Sequence, residues 1–188
     1  AGATAVIGVD DEHCVKIFHN LKTTKYSRVI PISGQQKIAG GVYVFDGILY
    51  DDLEGLRKPI LPLYDLQALP GVHNAQNAAA AYCAARASGF AANDIANAIS
   101  NFQGLAHRQQ ITEIIDGVRY INDSKATNPV ATARALACYK SIYWIAGGLA
   151  KEGGLEPIEP HLPNIRHAFL IGESAERIAS EFGGYLKS

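Results

Sequence analysis

The chain has 188 residues, 17 Lys plus Arg against 18 Asp plus Glu, 48% hydrophobic and 9% aromatic residues, and a net charge of −1. No Lys/Arg-rich run supplies the concentrated positive face that phosphate neutralisation requires, which excludes a nucleic-acid-binding module, and no stretch of about eighteen apolar residues exists to span a membrane. The length slightly exceeds one domain of about 150 residues and there is no Met anywhere, as expected of a piece of a longer cytoplasmic protein.

Ala3 to Val9 is a continuous apolar, β-branched run that reads as a strand, followed by a helical pattern carrying Val15, Ile17, Phe18 and Leu21. Arg28 to Ile32 reads as a second strand, with Pro31 confining it to an edge or end position because proline donates no ladder bond. Two strand-like runs around Asp46-Gly47 predict a hairpin, since this dipeptide supplies the positive φ angles of a type I′ turn. After Ile60 to Tyr64, the Ala-dominated stretch Ala75 to Ser88 predicts a helix with Asn74 as its cap and Gly89 as its stop. A second helix follows from about Asp94 to Phe102.

The pattern changes near Gly104, which places a boundary between residues 1–104 and 105–188. Ile111 to Ile115 and Val118 to Ile121 form a second expected hairpin around Asp116-Gly117. Then come a helix opened by Pro129, a strand Ile142 to Ala146, a short helix near Glu156 to Leu162, a strand His167 to Ile171 and a helix from Ser174. This alternation predicts an α/β fold with a parallel sheet. Cys14, Cys83 and Cys138 are odd in number and far apart, and are expected to be buried reduced thiols.

Four segments carry candidate chemistry. Asn122-Asp123-Ser124-Lys125-Ala126-Thr127-Asn128 joins an expected buried strand to a helix start, where free amide groups, Lys125 and the Thr127 hydroxyl suit a carboxylate or phosphate. The same residues also suit a plain capped helix, with Thr127 or Asn128 as the cap and Lys125 solvated. Gly147-Gly148 with Lys151 follows the next strand, so two successive strand ends each bring a lysine toward one crevice. Asn74 and Asn77, three apart on a helix, could pair with an adenine edge, and His107-Arg108 lies just past the boundary. No histidine has ligand spacing with Cys or carboxylates, so a protein-built zinc site is not expected.

Taken in order, His73-Asn74-(two residues)-Asn77, Gly104-Leu105-(one residue)-His107-Arg108, the Asn122–Asn128 segment and Gly147-Gly148-(two residues)-Lys151 resemble the motif series of the Mur ligases. The resemblance implies that residues 1–104 are the C-terminal part of a central ATPase domain. It implies that residues 105–188 are the first part of a Rossmann-like, amino-acid-binding C-terminal domain. It further implies an enzyme of peptidoglycan synthesis that uses ATP and Mg²⁺ to phosphorylate UDP-N-acetylmuramoyl-L-alanine, whose acyl phosphate is then attacked by the D-glutamate amine. By the same carry-over, Asn74 and Asn77 meet the adenine, and His107, Arg108 and Asp123 meet the rest of the nucleotide. Lys125, Thr127 and Lys151 meet the D-glutamate side, with Lys125 and Lys151 in catalytic roles. Another amino-acid-adding Mur or folylpolyglutamate ligase, or a non-catalytic nucleotide-binding module, are the competing expectations. No Gly-Lys-Ser/Thr phosphate loop occurs in the chain, so the chain alone is expected to turn over no ATP. Its open sheet edge is expected to favour self-association.

Overall fold

The computed structural model describes residues 3–24, 27–149 and 154–183. The chain forms two compact units, Ala1–Gly104 and Leu105–Ser188.

In the first unit, strands β1 (Ala3–Gly8), β2 (Ser27–Ser33), β3 (Val42–Phe45), β4 (Ile48–Asp51) and β5 (Lys58–Pro62) form one sheet in that order. The pairs β1–β2 and β2–β3 are parallel, whereas β3–β4 and β4–β5 are antiparallel. Helix α1 (Glu12–Lys22) connects β1 to β2; its cap is Asp11, whose carboxylate accepts the Cys14 N–H and is thereby held below its usual pKa. The β3–β4 turn has Asp46 at φ +49° and Gly47 at φ +71°, the type I′ geometry expected of Asp-Gly.

Strand β2 lies between β1 and β3, so of the edge or end position expected of Pro31 the edge is not found, and the residue sits just before the end at which pairing with β3 begins. Val9 N donates to the Ile32 carbonyl at 2.9 Å, so even-numbered peptide groups of β2 face β1 and odd-numbered ones face β3. Pairing with β3 begins only at Ile32 opposite Val42. The missing N–H of Pro31 therefore falls where no ladder bond is made.

Helix α2 (Val72–Ala87) lies across this sheet. Its Ala78, Ala79, Tyr82 and Cys83 pack on Ile30, Ile32, Val42, Val44, Leu49, Leu61 and Leu63, with Ile95 of helix α3 (Ala92–Ser100) completing the core. The small alanines let the helix approach the sheet closely, and Tyr82 fills the space beside them. Its hydroxyl donates to Asp51 Oδ2 at 2.8 Å, and the Arg86 guanidinium reaches the same oxygen at 3.3 Å. Burial, then the neighbouring carboxylate, pushes the phenol pKa up, so Tyr82 stays a donor at any working pH. Tyr82→Phe is expected to cost about 1–3 kcal/mol because a buried acceptor loses its neutral donor. A lower midpoint in urea unfolding followed by circular dichroism checks this, and an unchanged midpoint contradicts it. Burial also raises the Cys83 thiol to about 11. Cys14 and Cys138 are only partly buried, which corrects the expectation of three buried thiols.

In the second unit, β6 (Gln110–Ile115) and β7 (Val118–Asn122) form an antiparallel hairpin, with Asp116 at φ +50° and Gly117 at φ +80°. Strands β8 (Ile142–Gly147) and β9 (Ile165–Ile171) form a separate parallel pair. Helix α4 (Pro129–Leu136), a 3-10 segment (Glu156–Asn164) and helix α5 (Ala175–Phe182) contribute Leu136, Ile158, Leu162, Ile178 and Phe182 to the core beneath β8 and β9. The α/β class is as expected, but β7 differs. It is largely exposed and pairs only with β6 among the described residues, so no single parallel sheet carries both β7 and β8. Val118 and Tyr120 pack on nothing that would make this a buried strand: they are 54% and 51% exposed. Among the described residues no helix is long and apolar enough to cross a membrane.

Candidate functional site

The first candidate cluster lies at the start of α2. Gly71 precedes the helix at φ 82°, a conformation suited to glycine, and the helix begins at Val72. Asn74 is therefore inside the first turn, and the expectation that it caps the helix is corrected. Its Nδ2 donates to the Pro70 carbonyl at 2.8 Å, and its Oδ1 accepts from Asn77 Nδ2 at 3.3 Å. The two carboxamides share a face and are bonded to each other. Asn77 is the exposed member, so its Oδ1 and second N–H form the edge that an adenine N6/N7 pair could meet.

Beneath them lies a network that composition and spacing do not announce. The Asp10 carboxylate, at the end of β1, accepts from Ser33 Oγ at 2.5 Å, Gly34 N at 2.7 Å and Gln76 Nε2 at 2.8 Å. Ser33 Oγ in turn accepts the amides of Gln35 and Gln36. A Cβ on Gly34 would stand 2.7 Å from the Val72 carbonyl. The loop after β2 is thus pressed against the first turn of α2, and Asp10 holds the two together. The useful signal was an acidic residue directly after a strand, but its partners are 23 to 66 residues away.

The second cluster joins two loops of the second unit. The loop before β6 holds His107 at φ +64° and Gln109 at φ +44°, unusual values for residues with a Cβ. The Asn122–Asn128 loop crosses it through three bonds: Lys125 N to the His107 carbonyl (3.1 Å), Gln109 N to Asp123 Oδ1 (3.1 Å) and Asn122 Nδ2 to His107 Nδ1 (3.1 Å). Tyr139 OH then donates to Gln109 Oε1 at 3.2 Å, while the Arg119 guanidinium lies 5.5 Å from the Tyr139 ring centre. Burial pushes the Tyr139 phenol up to about 12, which keeps that donor protonated. His107, Asp123 and Lys125, distant in sequence, are thereby brought into one bonded set; Arg108 and Thr127 are exposed on the same two loops.

The amides of residues 124–127 are spent within the protein, which narrows the expectation of amides awaiting an anion to those of Asn128 and Val130 at the start of α4. Ser124 N donates to Asn122 Oδ1, Ala126 N to the Asp123 carbonyl and Thr127 N to the Lys125 carbonyl. Asn128 is the cap of α4 and takes the Ala131 amide at 2.9 Å. The side chains on these two loops that could meet an anionic ligand are the exposed Lys125 ammonium, Thr127 hydroxyl and Arg108 guanidinium.

Gly147 and Gly148 serve a close backbone approach, but to β9. Gly148 N donates to the Ile171 carbonyl at 3.0 Å, and its own carbonyl accepts Ser174 N and Oγ. Lys151 lies outside the described residues, and with it the expected convergence of two lysines on one crevice; β7 and β8, the strands before the two lysine-bearing loops, belong to different sheets. Among the described residues no three His, Cys, Asp or Glu side chains gather as a metal ion would require, and no Mg²⁺ ligand is assigned.

No family model matches the chain. A UDP-N-acetylmuramoylalanine--D-glutamate ligase of Paramagnetospirillum magneticum is 45% identical over 99% of this chain, and that of Rhodospirillum rubrum is 46% identical over 91%. The corresponding ligase of Rickettsia bellii is 36% identical over 93%. The chain spans only 36–40% of the length of these curated relatives. Among solved structures, a UDP-N-acetylmuramoylalanyl-D-glutamyl-2,6-diaminopimelate--D-alanyl-D-alanyl ligase from Acinetobacter baumannii matches all of this chain and 42% of its own, with TM-score 0.65 and 21% identity. A structure of MurF from the same organism matches 98% of this chain with TM-score 0.66 and 18% identity, a likeness of fold. Sequence identity along nearly the whole chain and the shared fold lead to one conclusion: the chain belongs to the Mur ligase family.

Proposed function

We propose that the whole protein to which this chain belongs joins D-glutamate to UDP-N-acetylmuramoyl-L-alanine, using ATP and Mg²⁺ and passing through an acyl phosphate. The observation that carries the reading is the 45% identity to a D-glutamate ligase over 186 residues, a stretch long enough to take in every motif from His73 to Lys151. In this reading the Ala1–Gly104 unit belongs to the ATP-binding domain and the Leu105–Ser188 unit to the amino-acid-binding domain.

Asn77, with Asn74 holding it, meets the adenine; His107, Arg108 and Asp123 meet the ribose and phosphates. Lys125, Thr127 and Lys151 attract the two carboxylates of D-glutamate, whose amine must approach with its charges neutralised. Reactions of this kind depend on positioning and on charge placed where phosphate and carboxylate oxygens will lie, which suits a site built from cations and carboxamides. Support comes from the exposed Asn77 edge and from the exposed Arg108, Lys125 and Thr127 side chains on two loops that are bonded to each other. ATP supplies the phosphoryl group when bound; this chain alone, without a Gly-Lys-Ser/Thr loop, turns over no ATP.

The two-sided assignment makes a split prediction for the full-length protein in a coupled ADP-release assay. Asn77→Ala is expected to raise KM for ATP by about tenfold, the order of one lost base-edge contact, with KM for D-glutamate little changed. Lys125→Ala is expected to do the reverse. Equal changes in both constants for both variants would contradict the assignment.

A further inference from the structure

We propose that Asn122 fixes the proton of His107 on Nε2, so that this histidine serves the site as a neutral hydrogen-bond donor and not as a general base. The donor role rests on the reading of these two loops as ligand-facing; the proton assignment does not.

The two ends of the Asn122 carboxamide have different partners. Its Oδ1 accepts the Ser124 amide at 3.1 Å, so Nδ2 is the end that faces His107 Nδ1, also at 3.1 Å. Turning the carboxamide over would set an NH₂ group against the Ser124 N–H, donor against donor. With Asn122 donating, His107 Nδ1 must accept, and a neutral ring that accepts at Nδ1 carries its hydrogen on Nε2. The backbone that carries the ring is held in place. The His107 amide donates to Gln110 Oε1 at 3.0 Å, its carbonyl accepts the Lys125 amide at 3.1 Å, and its backbone is held at φ +64°.

The chemical consequence is directional. A general base for the incoming amine needs a ring lone pair turned to the substrate, and the only one in this tautomer is used by Asn122. What His107 offers is an N–H, and the ligand class that takes it is an oxygen acceptor: a phosphate, ribose or carboxylate oxygen. Asn122 is then a positioning residue that acts through His107.

Two measurements test this. In the ¹⁵N-labelled 188-residue chain, two-bond proton–nitrogen correlations of the imidazole rings distinguish the tautomers, with the His107 signals identified by their loss in His107→Gln. The wild type is expected to show the Nε2–H pattern. Asn122→Asp keeps an oxygen for the Ser124 amide but presents a carboxylate oxygen to Nδ1, and is expected to move the proton to Nδ1 and invert the pattern. Asn122→Ala, a second variant in case the first perturbs folding, is expected to give a mixture. A wild-type Nδ1–H pattern, or one that none of these substitutions alters, would overturn the proposal.

The second measurement uses the full-length protein. His107→Gln, whose amide donates but cannot act as a base near neutral pH, is expected to keep activity within about tenfold of wild type, while His107→Ala loses more. Equal loss in both variants would overturn the donor role. Inversion of the ring pattern in a protein without D-glutamate-dependent turnover would uphold the proton assignment and reject the ligase reading.

Discussion

Asp10→Ala is expected to lower the unfolding free energy of the Ala1–Gly104 unit by about 3 kcal/mol. Three donors converge on this carboxylate: the Ser33 hydroxyl, the Gly34 amide and the Gln76 carboxamide. Hydrogen bonds to a charged acceptor contribute about 1.5–3 kcal/mol each, and a donor left without a partner adds a desolvation cost unless water reaches it. The site is only partly buried, so some rehydration offsets the full sum. Asp10→Asn is expected to cost less than Asp10→Ala, because its oxygen can keep the Gly34 and Gln76 donors while its NH₂ turns to Ser33 Oγ, which already accepts two amides. Urea unfolding by circular dichroism should show a lower midpoint with an unchanged slope; a loss below 1 kcal/mol would mean that the loop after β2 and the start of α2 hold together without it.

The second large effect is expected at Gly147. A Cβ there would lie 1.7 Å from the Ile171 carbonyl oxygen and 2.7 Å from its carbon, both backbone atoms of the paired strand, with φ at +145°. No rotamer relieves a clash with backbone, so Gly147→Ala must pry β8 from β9 at the Gly147–Ile171 pairing, at a cost of about 3 kcal/mol or more. Gly148→Ala is the control: its Cβ would meet open space, leaving only the strain of φ +106°, about 1–2 kcal/mol. Trp144, the single tryptophan, lies on β8 against the second core, so its fluorescence follows this unit. Equal destabilisation of the two variants would contradict the steric explanation.

What could be read before the structure was what local chemistry dictates. Asp46-Gly47 and Asp116-Gly117 each place two adjacent residues at positive φ, which few dipeptides tolerate, and both hairpins formed where expected. Pro129 and Asn128 likewise marked the start of α4 through a missing donor and a side-chain acceptor. Position within the sheet was not local information. Whether Pro31 lay at an edge or at the end of a ladder depended on where the neighbouring strand begins to pair, and β7 was expected in the wrong sheet because a strand before a helix says nothing of which strand it joins. Asn74 was misassigned because Gly71 started α2 earlier than the first alanine.

For the candidate site, the motif residues were legible as a set, but the contacts that order them were not. Gln109 has no distinctive residue chemistry; it matters because its amide reaches Asp123, 14 positions away, and its side chain reaches Tyr139, 30 positions away. The amides of residues 124–127 looked available because nothing in their order reveals the turns that consume them. Long-range pairing of ordinary polar groups leaves no periodic trace, and it is this pairing that builds both clusters.

The proposed function turns on which amino acid the full-length protein adds. Full-length protein supplied with ATP, Mg²⁺ and UDP-N-acetylmuramoyl-L-alanine should release ADP when D-glutamate is present and remain near background with L-glutamate or a diamino acid. ADP release that depends on a different amino acid, with none for D-glutamate, would overturn the proposed specificity.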